Sequence, residues 1–176
     1  MDKLPALTRL TKRLFDQKWA PLHATRSLDR SDLRRPGVYL IAYAASELGG
    51  RRVKPSEVQY VGMTCSSGGL RERIRDFKDG VERNNYHSGA RRFFRDYAGS
   101  KPLSRLRSRK KFYFVAVGLD CTGRKSQATP DDFRTLGLVP CLEYYAIAHV
   151  LERTGRTPPL NKLSTGSISE RKSAKA

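Results

Sequence analysis

The sequence predicts an α/β fold of the α+β type: a small, mainly antiparallel three-stranded sheet flanked by helices. Three observations predict it. Three runs, near 37–43, 57–62 and 111–118, have strand composition. The first two are joined by a turn-rich stretch that reads as a long hairpin connection. Several other stretches place apolar residues at helical spacing. At 176 residues the chain is long enough for a real core, and it is most simply one domain with extensions.

In residues 4–19, Leu7, Leu10, Leu14 and Trp19 share one stripe, while Lys3, Arg9, Lys12, Arg13 and Lys18 lie mostly off it. This predicts an amphipathic basic helix, packed on the domain or laid along an anionic partner, with Pro21 at or after its end. A short helical turn is expected in Ser27–Arg35. Pro36-Gly37 then opens the strand Val38–Tyr43. Gly49-Gly50 and Pro55 break periodicity in the 44–57 connection, whose Arg51, Arg52 and Lys54 face either phosphates or solvent. Val58–Val61 is strand-like and stops at Gly62; residues 70–82 follow as an arginine-rich helix with Leu70, Ile74 and Phe77 on its apolar side.

Ala90–Tyr97 reads as a further helix that mixes arginines with aromatics, and 101–111 is strongly basic. Phe112–Val117 is a clear strand ending at Gly118. Residues 120–137 read as a loop with one helical turn near Pro130. Pro140 is expected to start a mostly apolar helix, Cys141–Glu152, closed by Gly155. Pro158–Asn161 is extended. The boundaries that follow are a basic helical extension over 1–35, a central domain over 36–163 and a disordered basic tail over 164–176.

Thirty-five Lys and Arg against 17 Asp and Glu give a net charge of +18. So large a charge points to a polyanionic partner, usually nucleic acid, with an anionic membrane surface as the competitor. No apolar run has membrane-spanning length and no secretory signal is visible, so a soluble, cytoplasmic protein is expected. The three cysteines, Cys65, Cys121 and Cys141, form no C-x-x-C pair, which argues against a zinc site or a disulfide framework.

Several residue types suit phosphodiester chemistry, which needs an activated water and charge stabilisation at phosphorus. Tyr39 and Tyr60 lie on strands that should pair, so their phenols can share a pocket or simply pack the sheet. A tyrosine acts as a general base only if its pKa falls from about 10. Arg73 offers a planar fork that matches phosphate oxygens, with Arg71 as the alternative in that helix. Glu143 is expected in the first turn of a helix that is apolar nearly all round, and it needs a partner: the helix N-terminus or a divalent cation.

Gly37-Val38-Tyr39, Tyr60-Val61-Gly62, Leu70-x-x-Arg73-Ile74, Leu142-Glu143 and Leu160-Asn161, in that order, resemble the GIY-YIG nuclease signature. The resemblance covers 36–162. It implies that Tyr39 and Tyr60 belong to an active site, that Arg73 is the motif arginine and that Glu143 binds the metal. It also implies that Asn161 closes the site, holding the glutamate or a phosphate; a loop-capping role is compatible with this. Some members of the family carry a histidine near the arginine, which makes His87 a candidate acid or base. Met63 departs from the pattern, since several relatives have lysine there.

The resemblance implies a Mg²⁺-dependent DNA endonuclease, with Mn²⁺ as a substitute metal. One carboxylate with several waters suits Mg²⁺. Arg71, Arg75, Lys78, Arg91, Arg92 and Arg95, with the 101–111 segment, are expected to bind the phosphates of double-stranded DNA. A double-strand cut from one site per chain calls for a homodimer or two successive nicks. Restriction or phage defence is favoured over repair because little lies beyond the core. The alternative is a non-catalytic nucleic-acid-binding protein on the same scaffold. A small ribosome-associated basic protein explains the charge but not the ordered motifs.

Overall fold

The strand with the strongest apolar run becomes the middle of the sheet. In a computed structural model, which describes residues 3–83, 88–95 and 111–161, Gly37–Ala44 forms β2. It lies between β3 (Val58–Thr64) and β4 (Lys111–Gly118), antiparallel to each. Successive side chains alternate between two buried faces, which is why this strand is apolar throughout. Val38, Leu40 and Ala42 enter one core; Tyr39 and Ile41 enter the other.

The first core holds α1 (Lys3–Phe15), α4 (Pro130–Leu136) and α5 (Leu138–Thr154) against the sheet. The second holds α2 (Gly69–Arg83) and α3 (Ser88–Phe93). Leu7, Leu14 and Phe15 of α1 pack in the same cluster as β2 and α5. The apolar stripe read in the sequence thus faces the domain core.

Among the described residues the sheet has four strands, in the order β1-β4-β2-β3, where three were expected. The additional strand, β1, is only Ala20–Pro21, paired with Phe114 and Tyr113. Pro21 lacks an N–H, so it suits the outer position it occupies. Trp19 is not part of the helical stripe, because α1 ends at Phe15. It is nevertheless buried, and its indole N–H donates to Glu57 Oε2 at 2.7 Å.

The stretch expected as a loop over 120–137 contains α4, capped by Thr129, which bonds Asp132 in a reciprocal capping box. Helix α5 begins at Leu138 rather than after Pro140, and Gly155 ends it in the left-handed conformation at φ 73°. His87, the 101–110 segment and the 164–176 tail lie outside the described residues. Among the described residues no helix is long and apolar enough to cross a membrane.

The far edge of the sheet, β3, is covered by the chain beyond α5. Leu160 N–H donates to the Gln59 carbonyl at 2.9 Å, and Asn161 pairs with Val61. An uncovered edge strand would present unpaired backbone groups to solvent. This cover also brings Asn161 into the wall of the cleft that Tyr60 lines.

Candidate active site

The register of β2 on β3 places Gly62 opposite Tyr39 and Tyr60 opposite Ile41. The two tyrosines are therefore diagonal neighbours on one face of the sheet, toward α2 and α3. Their ring centroids are 6.0 Å apart at 63°. Tyr60 also stacks on Phe77 of α2, at 6.0 Å and 16°. Gly62 makes the arrangement possible. A Cβ there would fall 2.5 Å from Tyr39 Cζ, 2.6 Å from its hydroxyl and 2.7 Å from Tyr60 Cε1.

The two phenols differ in environment. Tyr39 is 0% exposed and hydrogen-bonded to the Tyr60 side chain. Burial lifts its pKa well above the ordinary phenol value; the Tyr60 charge adds to this, and the pull of Arg73 is smaller. Tyr39 is thus a neutral O–H in the free protein, the opposite of the lowered pKa a general base requires. Tyr60 lines an open cleft of about 180 Å³, with Arg92, Glu143, Tyr144 and Asn161 also in its wall.

Helix α2 sorts its cations by face. Arg71, Arg75 and Lys78 are spaced to share one side, and Arg73 points about 200° away from Arg71. Arg71 donates to Asp29 at 2.9 Å and lies outside the cleft. Arg75 is exposed, and Lys78 is half-buried beside His23 and Phe112. Arg73 lines a second cleft, about 420 Å³, with Met63, Thr64, Cys65, Glu72 and Asp76. Met63 brings no charge there, and Arg73 is the cation in that wall.

Glu143 is half-buried in the second turn of α5, whose Leu142, Ala146, Ile147 and Val150 are buried. Because the helix starts at Leu138, the first-turn position expected for Glu143 does not hold. The helix N-terminus is no longer its nearest candidate partner. Burial raises the carboxyl pKa, while Arg73 and then Arg92 pull it down. These two cations come from α2 and α3, so three helices contribute charge to one region.

Asn161 spends its amide on the backbone. Its Oδ1 accepts from Val61 N–H and its Nδ2 donates to the Val61 carbonyl, each at 2.7 Å. The contact is with β3 in place of the expected glutamate or phosphate. Arg92 donates from Nη1 to the Leu160 carbonyl at 2.8 Å. Arg91 and Arg95 are exposed on the same short segment.

The carboxylate chemistry fits one kind of metal site. Among the described residues no cluster of three or more His, Cys, Asp or Glu is present, so a closed multi-ligand cage is not built. Glu143 alone, at an open cleft, fits an ion that keeps most of its water shell, as Mg²⁺ does. A wider cleft of about 940 Å³ lies between α1 and α5, where the Phe15 and His149 rings meet at 4.4 Å, tilted by 49°; it contains none of the motif residues.

No family model, curated protein or solved structure matches the chain.

Of the residues expected at one site, Tyr60, Glu143 and Asn161 line one cleft, Arg73 lines another, and Tyr39 lies buried beside Tyr60, near enough for its charge to interact with those of Arg73 and Glu143. Arg92, expected among the phosphate-tracking cations, lines the cleft with Tyr60 and Glu143. The local signal for that place is its position directly before Phe93-Phe94, whose burial anchors the short helix that carries it.

Proposed function

We propose that the chain is a metal-dependent DNA endonuclease of GIY-YIG type, acting in restriction or phage defence. The observation that carries this reading is the placement of Glu143, a half-buried carboxylate whose charge is felt by Arg73, Arg92 and Tyr39. A protein that only binds an anion gains nothing from a carboxylate there, since it repels phosphate.

On this reading Glu143 holds Mg²⁺ or Mn²⁺, which when bound would stabilise negative charge on the phosphate oxygens. Arg73 binds the scissile phosphate with its planar fork. Tyr60, on the cleft wall, orients or deprotonates the attacking water, and Tyr39 fixes the Tyr60 hydroxyl from behind. Asn161 sets the height of β3, and with it Tyr60, through Val61. Arg75 and Arg91, both exposed, bind flanking phosphates of the duplex.

A second reading is a nucleic-acid-binding protein on the same scaffold, with no cleavage. The enclosed, neutral Tyr39 favours it. Incubating supercoiled plasmid with Mg²⁺, Mn²⁺ or EDTA separates the two. Metal-dependent nicking or linearisation supports the nuclease, with discrete bands pointing to a recognition sequence. A mobility shift without cutting under any metal, on duplex and on single-stranded DNA, supports the binder.

A further inference from the structure

We propose that Arg92 is a second phosphate-binding group inside the candidate active site, and not one of the cations that track the DNA backbone outside it; this rests on the nuclease reading. Three observations carry it: the anchoring of α3, the bond to Leu160 and the company Arg92 keeps in the cleft.

Helix α3 is six residues, too short to be stable alone. Aromatic packing fixes it instead. Phe93 sits 5.0 Å from Phe112 and 4.9 Å from Tyr43, ring centre to ring centre. With Phe93 and Phe94 buried, the neighbouring Arg92 is held at the domain surface, and its half-buried side chain reaches over the C-terminal cover of β3. There Nη1 donates to the carbonyl of Leu160, itself 0% exposed. Leu160 is bound to Gln59, and Asn161 to Val61. The guanidinium is therefore seated on the segment that positions Tyr60.

A guanidinium has five N–H donors in a rigid fork, and the Leu160 bond uses one nitrogen. The cleft that Arg92 lines also holds Tyr60 and Glu143, the two groups assigned to water and metal. A free cation tracking the backbone needs none of this seating, as the exposed Arg91 beside it shows. The charges agree. Glu143 and one phosphodiester bring two negative charges, and Arg73 with Arg92 bring two positive ones. With no metal bound, Arg73 alone would only cancel Glu143, and Arg92 leaves the wall one charge positive toward an entering phosphate.

The test uses the full chain and a defined DNA duplex, with Arg92→Ala, Arg92→Lys and Arg91→Ala compared by single-turnover cleavage and by binding. Arg92→Ala is expected to slow cleavage about 10²–10³-fold, the loss typical of one preorganised charge donor. Duplex affinity should fall no further than in Arg91→Ala. Lysine should not restore the rate, because it lacks the fork. Arginine Nε–H NMR of the wild type with duplex and no added metal gives a readout free of cutting: the Arg92 signal is expected to shift. The proposal is overturned if Arg92→Ala only weakens binding and lowers the salt slope by about 1, as a backbone contact does, or if the Arg92 signal does not move. If the wild type never cuts yet the Arg92 signal shifts with duplex, the nuclease reading fails and the phosphate contact stands.

Discussion

Asn161 holds Val61 by both of its backbone groups, accepting from the N–H and donating to the carbonyl at 2.7 Å each. A side-chain amide here replaces a neighbouring strand, at the edge residue next to Tyr60. Removing it with Asn161→Ala deletes two part-buried hydrogen bonds and leaves the Val61 groups unpaired. The expected cost is about 1–3 kcal/mol, read from urea unfolding. Asn161→Asp keeps the acceptor but sets a carboxylate against the Val61 carbonyl, so it should be no better than alanine. A loss below about 0.5 kcal/mol for both variants would show that the edge is held by other contacts.

Gly62 is a matter of space. Because its Cβ would enter the Tyr39 ring, Gly62→Ala is expected to destabilise by about 1–3 kcal/mol through overpacking. Trimming the partner should relieve it. Gly62→Ala measured in a Tyr39→Ala background should cost at least about 0.5 kcal/mol less than in the wild type. Additive effects in that double-mutant cycle would place the clash elsewhere.

The raised Glu143 carboxyl gives a pH signature. A carboxyl whose folded pKa lies above its unfolded value favours the folded state in its protonated form. That advantage is full below the unfolded value, about 4.3, and is lost as pH rises through the folded pKa. Glu143→Gln removes the loss. The variant should be more stable than wild type near pH 7, by about 0.5–2 kcal/mol, while it abolishes metal-dependent activity. The gain should vanish below about pH 4. Thermal melts of both proteins across pH check the sign; equal stability at neutral pH would mean that Arg73 and Arg92 fully offset burial.

The two tyrosines should separate in function. Tyr60 lines the cleft and Tyr39 lies behind it, so Tyr60→Phe is expected to lower the cleavage rate about 10²–10⁴-fold, the usual worth of a positioned acid or base. Tyr39→Phe should cost less, since it acts only through the Tyr60 hydroxyl. Alkaline absorbance titration tests the physical basis. With its pKa held well above 10.0 by burial, Tyr39 should stay protonated until the protein unfolds, so Tyr39→Phe should leave the native part of the curve unchanged. A missing native-state phenol in that variant would contradict the assignment.

The sheet was legible because β2, β3 and β4 carry long apolar runs, and their expected limits lie within two residues of those observed. The fourth strand was not. Ala20–Pro21 is too short for any periodicity, and its pairing with β4 is a tertiary contact. Helix α5 was misjudged at its start because proline favours the first helical position. Pro140 in fact sits third, still within the turn whose N–H groups have no partner inside the helix. That shift moves Glu143 away from the helix end, one of its two expected partners, while the divalent cation stays the other. Arg71 and Arg73 were both candidates in sequence, and only helix rotation plus Asp29 separates them. The bond from Arg92 to Leu160 joins residues 68 apart, so the partner is not legible even where the neighbouring Phe93-Phe94 hint at the anchoring of its helix.

The most direct test is cleavage of supercoiled plasmid by wild type and Glu143→Ala in Mg²⁺, with EDTA as control. The account predicts metal-dependent cutting by the wild type and none by Glu143→Ala, with DNA binding retained by both. Equal cutting by the two proteins, or binding without cutting by the wild type in Mg²⁺ and in Mn²⁺, would contradict it.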